Sequence, residues 1–123
     1  MSKTALIVDD SPTMRQMVAF TLTNAGFTVI QAEDGKDAVK KVSAGMKLDI
    51  VVTDLNMPEM DGIALIKELR KLTTFKFTPI LMLTTESAAE KKVAGKEAGA
   101  TGWIVKPFNP EVLLKTIAKV MPA

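Results

Sequence analysis

Two adjacent aspartates, Asp9 and Asp10, directly follow four apolar residues in the segment ALIVDD at positions 5–10. An apolar run of this length is typical of a buried strand, so both carboxylates are predicted to lie at the edge of a hydrophobic core. At a separation of about 5 Å and an effective dielectric constant of about 20, the two charges repel each other by about 3 kcal/mol. The pair therefore needs a nearby cation, or exposure of its carboxylates to water.

Polar side chains also follow three later apolar runs of the chain. An isolated aspartate, threonine or lysine after a strand usually forms a turn or extends into solvent. Their joint occurrence is harder to explain in this way, because parallel strands bring their carboxyl ends to one edge of a sheet, where ligands bind. These residues are Asp54 after DIVVT, Thr84 after ILML and Lys106 after GWIV.

The apolar runs alternate with segments of helical pattern. Short, nearly continuous apolar runs suit parallel strands that are covered on both faces. Five strands alternating with five helices require right-handed crossovers, so the predicted fold class is α/β with a doubly wound parallel sheet. The predicted strands are 5–8, 28–32, 49–53, 80–83 and 102–105. The first predicted helix begins at Pro12 and ends at Gly26, and the last begins at Asn109. The three helices between them are predicted over 34–44, 61–71 and 87–98.

Length and composition exclude several classes of protein. The 123 residues suffice for one domain, which we assign to 1–123. The sequence has no cysteine for a disulfide and no histidine for general-base catalysis or zinc binding. The net charge is only +2 and the basic residues are scattered, so no nucleic-acid partner is expected. No apolar run approaches the roughly 20 residues that span a membrane, and no secretion signal precedes the first strand, so a cytoplasmic protein is expected.

Asp9, Asp10 and Asp54 together would form a dense cluster of oxygen atoms, for which hard divalent cations are the natural partners. Magnesium takes about six oxygens, often one or two carboxylates with waters and a phosphate, whereas calcium would require more protein ligands. A bound divalent ion converts the repulsion among the carboxylates into attraction and allows the site to hold a phosphoryl group. The sequence therefore predicts a Mg²⁺ site at this edge of the sheet.

The segments LIVDDS, VVTDLNMPEMDG, LMLTTES and WIVKPF resemble the response-regulator receiver domain of bacterial two-component signalling. The resemblance covers the whole chain and implies a flavodoxin-like fold with strand order 2-1-3-4-5. It also implies that Asp54 is the phosphoacceptor. Because the chain has no histidine, the phosphoryl group must come from a separate protein, a histidine kinase.

The resemblance assigns further roles around this acceptor. Asp10 and Asp54 would bind magnesium directly together with the backbone carbonyl of Asn56, while Asp9 would act mainly through water. Lys106 would pair with the phosphoryl oxygens. No organic cofactor is implied.

A conformational switch is implied as well. Thr84 would move towards the phosphoryl group, and this movement would be coupled to an aromatic residue on the last strand. That residue is Trp103 here, where tyrosine or phenylalanine is more usual, and the larger indole would bias the inward orientation or slow its exchange. The Lys106–Pro107 peptide bond is expected to be cis.

The output of such a switch is binding to another protein. The segments SPTMRQMV and NMPEMDG are closest to chemotaxis regulators, which favours a flagellar motor switch protein as the partner. The chain would be a monomer that catalyses its own phosphorylation and dephosphorylation, and not a conventional enzyme. A phosphorelay or phosphate-sink receiver that does not act on the motor is the alternative, and a trimmed piece of a larger regulator remains open.

Three rival functions are weaker. A haloacid-dehalogenase-like phosphatase would need aspartates two positions apart, but Ser11 lies two residues after Asp9, and the chain has no room for a cap domain. A flavin-binding module would need a phosphate loop rich in serine, threonine and glycine, whereas DDSPT would repel a phosphate in the absence of metal. A docking module without phosphorylation chemistry would not need an intact set of acceptor, metal and lysine residues.

Overall fold

A single parallel sheet forms the centre of the computed structural model, which describes residues 3–42 and 46–121. Its strands lie in the spatial order second, first, third, fourth, fifth, so the doubly wound α/β fold and the order 2-1-3-4-5 are confirmed. The strands are β1 (Lys3–Val8), β2 (Phe27–Ala32), β3 (Ile50–Thr53), β4 (Ile80–Thr84) and β5 (Gly102–Val105).

In the described ranges, five α-helices connect and follow these strands, a short 3-10 helix (Thr73–Phe75) precedes β4, and four of the α-helices begin at a side-chain cap. The carboxylate, amide or hydroxyl oxygen of residues 11, 34, 61 and 109 accepts a backbone N–H in the first turn of its helix. None of the helices in the described ranges is long and apolar enough to cross a membrane. The helices are α1 (Pro12–Asn24), α2 (Gly35–Lys41), α3 (Gly62–Lys71), α4 (Ala89–Ala98) and α5 (Pro110–Val120).

The helices cover the sheet on both faces, which explains why its central strands β1, β3 and β4 are mostly apolar. In β1, Leu6 and Val8 pack in a cluster with α2 and α3, whereas Ala5 and Ile7 pack in a second cluster with α1 and α5. All four side chains are at most 1% exposed. Because neither face of the strand meets water, hydrophobic residues do not alternate with polar ones.

Two predicted helix boundaries are wrong. The helix predicted over 34–44 ends at Lys41, because the backbone of Val42 turns to an extended conformation and its side chain enters the core. Ala44 lies outside the described residues. The helix predicted from Ser87 begins at Ala89, since the Glu86 carboxylate already accepts the N–H of residue 88 and holds that segment as a loop.

Arg70, in the last turn of α3, connects segments at the end of the sheet where the strands begin. Its Nη1 donates to the carbonyl oxygens of Phe75 and Thr78 at 2.7 Å each and to that of Lys76 at 3.3 Å. Its Nη2 donates to the carbonyl oxygen of Gly99 at 2.7 Å. One guanidinium group therefore links α3, the start of β4 and the turn after α4.

Candidate functional site

The carboxyl ends of β1 and β3 bring three aspartates together. Val8 and Thr53 are partners in the parallel register, so the residues that follow them, Asp9 and Asp54, leave the sheet side by side. The N–H of Asp54 also donates to the carbonyl oxygen of Val8 at 2.9 Å. Asp9, Asp10 and Asp54 each present a carboxylate oxygen, and these oxygens all lie within 4.8 Å of one another.

The two neighbouring aspartates at the end of β1 have different environments. Asp9 is 3% exposed, and its Oδ1 accepts the N–H of Ser11 at 2.9 Å while its Oδ2 accepts Nζ of Lys106 at 2.8 Å. Its backbone carbonyl accepts Nη1 of Arg15 at 2.7 Å. Asp10 is exposed. One carboxylate is thus held by donors inside the site, and the other meets water.

Asp54 lies at the base of the site, 9% exposed. Its Oδ1 accepts the N–H of Leu55 at 2.7 Å, and its Oδ2 accepts Nζ of Lys106 at 3.2 Å. Burial lowers the pKa of Lys106, but the hydrogen bonds and charges of Asp9 and Asp54 outweigh this effect, so the pKa lies above its ordinary value. Lys106 is therefore a permanent cation between two carboxylates at neutral pH.

The loop after Asp54 returns to the site at the first residue of α3. Gly62 donates its N–H to the carbonyl oxygen of Leu55 at 2.8 Å, and a Cβ at this position would overlap the carbonyl oxygen of Asp54. Asn56 lies exposed within this loop. Glu59 has a φ of 65°, a left-handed conformation that is uncommon for residues other than glycine.

Thr84 and Trp103 are joined through one loop residue. Thr84 is fully buried at the end of β4, and its Oγ1 accepts the N–H of Glu86 at 3.3 Å. Trp103 on β5 donates its Nε1–H to the carbonyl oxygen of the same Glu86 at 3.0 Å. The N–H of Lys106 donates to the carbonyl oxygen of Thr84 at 2.8 Å, and the Lys106–Pro107 bond is cis, as the resemblance implies.

Several residues that shape this site are not among those predicted from the sequence. Arg15 lies one turn into α1 and binds the carbonyl of Asp9, which precedes the helix, so helical spacing gives no signal for this contact. Gly62 lies within the predicted helix 61–71, where a glycine next to the first residue could suggest a close backbone approach. The N–H donor of Ser11 and the cation of Arg15 both stabilise the orientation of the buried aspartate.

The donor set suits a hard divalent cation. Three carboxylates against the cations of Lys106 and Arg15 leave one negative charge in excess, and Asp10 has one of its carboxylate oxygens close to those of Asp9 and Asp54. Carboxylate oxygens are the ligands that Mg²⁺ prefers. The three aspartates could therefore hold a divalent metal ion.

Comparison with solved structures agrees with this architecture. The chemotaxis protein CheY4 of Vibrio cholerae superposes with a TM-score of 0.93, is 50% identical, and is matched over 98% of this chain and 100% of that one. A putative response regulator of Chloroflexus aurantiacus gives a TM-score of 0.90 at 35% identity, over 98% of each chain.

Comparison with related sequences points to the same group of proteins as the solved structures. The chemotaxis protein CheY1 of Helicobacter pylori is 41% identical over 117 residues, which are 94% of each chain. A chemotaxis protein CheY homolog of Campylobacter jejuni is 38% identical over 117 residues, 94% of this chain and 90% of the relative. The family model of the response regulator receiver domain matches residues 5–118. With this match over nearly its whole length, the chain belongs to the response regulator receiver domain family.

Proposed function

We propose that the chain is a signalling switch that accepts a phosphoryl group on Asp54 from a histidine kinase. The observation that supports this most directly is the position of Lys106, whose Nζ lies 3.2 Å from Oδ2 of Asp54 and 2.8 Å from Oδ2 of Asp9. A nearly buried cation beside a nearly buried carboxylate is suited to pair with the new negative charge that a phosphoryl group brings.

The transfer would be an exchange of one bond to phosphorus for another. A carboxylate oxygen of Asp54 attacks phosphorus while the phosphorus–nitrogen bond of the kinase phosphohistidine breaks, and the imidazole takes up a proton. Hydrolysis later returns the carboxylate and inorganic phosphate, so the chain would catalyse its own phosphorylation and dephosphorylation. Such a reaction needs positioning and charge neutralisation more than covalent help.

Asp10, Asp54 and the backbone carbonyl of Asn56 would hold magnesium directly, with Asp9 acting through water. When bound, this ion supplies charge neutralisation at the phosphoryl oxygens. The environment of Asp10 supports its direct role, because its carboxylate is exposed and lies close to those of Asp9 and Asp54.

The structural effect of phosphorylation at Asp54 would be transmitted through Thr84. Its Oγ1 accepts the N–H of Glu86, so the proton of its own hydroxyl is available for a phosphoryl oxygen. A movement of Thr84 towards that oxygen would change its bond to Glu86. The carbonyl of Glu86 also accepts the indole N–H of Trp103, so the signal would reach the surface of α4 and β5.

The output partner would bind beside Trp103. Lys92, Lys96 and Trp103 line a surface cavity of about 280 Å³ at this position. Two valines on neighbouring elements, Val93 and Val105, are 56% and 39% exposed. This combination fits a partner segment with acidic and apolar side chains. Because the relatives are chemotaxis proteins, we propose a flagellar motor switch protein, and a phosphorelay or sink role without motor binding is the alternative.

The phosphoacceptor can be tested with acetyl phosphate and Mg²⁺. Intact-mass spectrometry should show one phosphoryl adduct on the wild type and none on Asp54→Asn. The matched control is Glu97→Gln, which removes an exposed carboxylate from α4 and should be labelled like the wild type. Equal labelling of Asp54→Asn would refute Asp54 as the acceptor.

The partner can be tested by pull-down of a purified motor switch protein with and without acetyl phosphate. Recovery should increase on phosphorylation, and size-exclusion chromatography should show the free chain as a monomer. Equal recovery in both states would favour the phosphorelay or sink role.

A further inference from the structure

Gly95 lies in the middle of α4 and is the buried residue of that helix. Glycine inside a helix is less favourable than alanine, because its backbone loses more freedom on folding. A packing reason is present at this position. A Cβ on Gly95 would lie 2.8 Å from Cζ3, 3.5 Å from Cε3 and 3.8 Å from Cη2 of Trp103. The six-membered ring of the indole therefore occupies the space of a side chain at position 95.

A second contact limits how far the indole could move away from this helix. Its Nε1–H donates to the carbonyl oxygen of Glu86 at 3.0 Å. The indole is rigid and has only two side-chain torsions, so a displacement of the ring beside Gly95 also displaces Nε1. A methyl group on residue 95 would therefore weaken the hydrogen bond to the loop that follows Thr84.

We infer that Gly95 is a positioning residue for Trp103. The absence of a side chain at this position fixes the resting orientation of the indole and thereby helps to hold Glu86, whose N–H donates to Oγ1 of Thr84. The relevance to signalling rests on the proposed function. The placement of the indole by Gly95 does not rest on that proposal. It can be measured on unphosphorylated protein in the absence of any phosphodonor.

Fluorescence of the full chain tests this placement. Trp103 is the single tryptophan and the sequence has no tyrosine, so the emission reports on this one residue. In Gly95→Ala the emission maximum should shift by several nanometres to longer wavelength, because the displaced indole meets more water. Glu97→Ala, an exposed change on the same helix, should leave the emission unchanged. A Gly95→Ala spectrum identical to that of the wild type would overturn the inference.

Thermal unfolding of a double-mutant cycle gives an independent test. The shorter ring of Trp103→Phe vacates the space next to residue 95, so in that background Gly95→Ala should raise the midpoint by about 4 °C through helix propensity. In the wild-type background, Gly95→Ala should leave the midpoint of thermal unfolding unchanged or lower it. An equal rise in both backgrounds would overturn the inference.

The inference can still be tested if the Gly95→Ala variant folds poorly. If Gly95→Ala alone does not fold, a folded Gly95→Ala/Trp103→Phe variant supports the inference, and failure of both variants contradicts it. Labelling of the wild type by acetyl phosphate separates this inference from the proposed function. An unlabelled Asp54 would refute the phosphoacceptor role and leave the fluorescence and unfolding results unaffected.

Discussion

The backbone carbonyl of Asp54 packs directly against the α-carbon of Gly62, at the point where the loop after β3 enters α3. A β-carbon at position 62 would overlap the carbonyl oxygen. The N–H of Gly62 is also hydrogen-bonded to the carbonyl of Leu55 at 2.8 Å, so the backbone is not free to move aside. The position of the central aspartate therefore depends on a glycine eight residues further along the chain.

Gly62→Ala should lower the free energy of unfolding by about 2 to 3 kcal/mol, because the added methyl group meets backbone atoms that cannot relax. Urea denaturation measures the loss. Gly102→Ala is the matched control. Its Cβ would lie 2.9 Å from Cδ1 of Leu81, the end of a flexible side chain, so the loss should be about 1 kcal/mol. Equal losses in the two variants would contradict this explanation.

Arg70→Lys should lower the free energy of unfolding by about 2 kcal/mol, since an ammonium group cannot reproduce the planar set of donors to four carbonyl oxygens. Urea denaturation measures this loss of stability. Lys71→Met removes the neighbouring cation, which pairs with Glu68 at 2.8 Å on the exposed surface, and should change stability by less than about 0.5 kcal/mol. If the two variants lose the same stability, the carbonyl contacts of Arg70 contribute little.

Glu59→Asn should raise the free energy of unfolding by about 0.5 kcal/mol, because asparagine tolerates the left-handed backbone better than glutamate does. Glu59→Gln is the control, as it removes the same charge, and with it the 3.4 Å pair to Lys36, without relieving the backbone. It should be neutral or slightly destabilising. A rise in both variants would point to the charge and not to the conformation.

Asp37 should contribute stability that depends on pH. A hydrogen bond from the N–H of Glu33 lowers the pKa of Asp37, slight burial opposes this, and Lys41 lowers the pKa further. A lowered pKa in the folded state means that the contribution is complete above the ordinary value of 3.8 and is lost as the pH falls through the folded value.

Asp37→Asn should therefore be about 0.5 kcal/mol less stable than the wild type at pH 7, and the difference should disappear in acid. Urea denaturation from pH 7 to about pH 3 measures this trend. Glu97→Gln should show no comparable trend. A difference between the wild type and Asp37→Asn that persists below the folded pKa would exclude an ionic origin.

Asp10→Asn should have opposite effects on stability with and without Mg²⁺. In metal-free protein it removes repulsion among three carboxylates and should be about 1 kcal/mol more stable than the wild type. With Mg²⁺ at about one hundred times its dissociation constant, the wild type should gain about 2.7 kcal/mol, and the variant should gain much less. Thermal unfolding with EDTA or Mg²⁺ distinguishes these cases, and an equal gain in both proteins would argue against Asp10 as a ligand.

Most of the fold could be predicted from local signals. The strands β3 and β4 are apolar up to a terminal threonine because both faces are buried, and this pattern is visible without a structure. The helix starts at Asp34, Asp61 and Asn109 were predictable because each cap uses a side chain that accepts a nearby N–H. The strand order 2-1-3-4-5 was implied by the family resemblance, and the apolar runs of the sequence alone do not determine it.

The errors and omissions arise from contacts between distant segments. Ser87 looks like a helix cap, but its segment remains a loop whose Glu86 carbonyl is bound by Trp103, seventeen positions away. The strand-end rule predicted that Asp9, Asp54 and Lys106 would converge. Gly95 carries no such signal, because a glycine inside a helical pattern does not indicate which side chain fills the space beside it.

Under the proposed function, the negative charge of the site should set the order in which metal and phosphodonor bind. A phosphorylated donor is itself an anion, so the three carboxylates around Lys106 would repel it before a metal binds. A divalent cation would be attracted by the same carboxylates and would cancel their repulsion of the donor. We therefore expect compulsory-order kinetics, with metal first and phosphodonor second, enforced by long-range Coulomb forces without any moving gate.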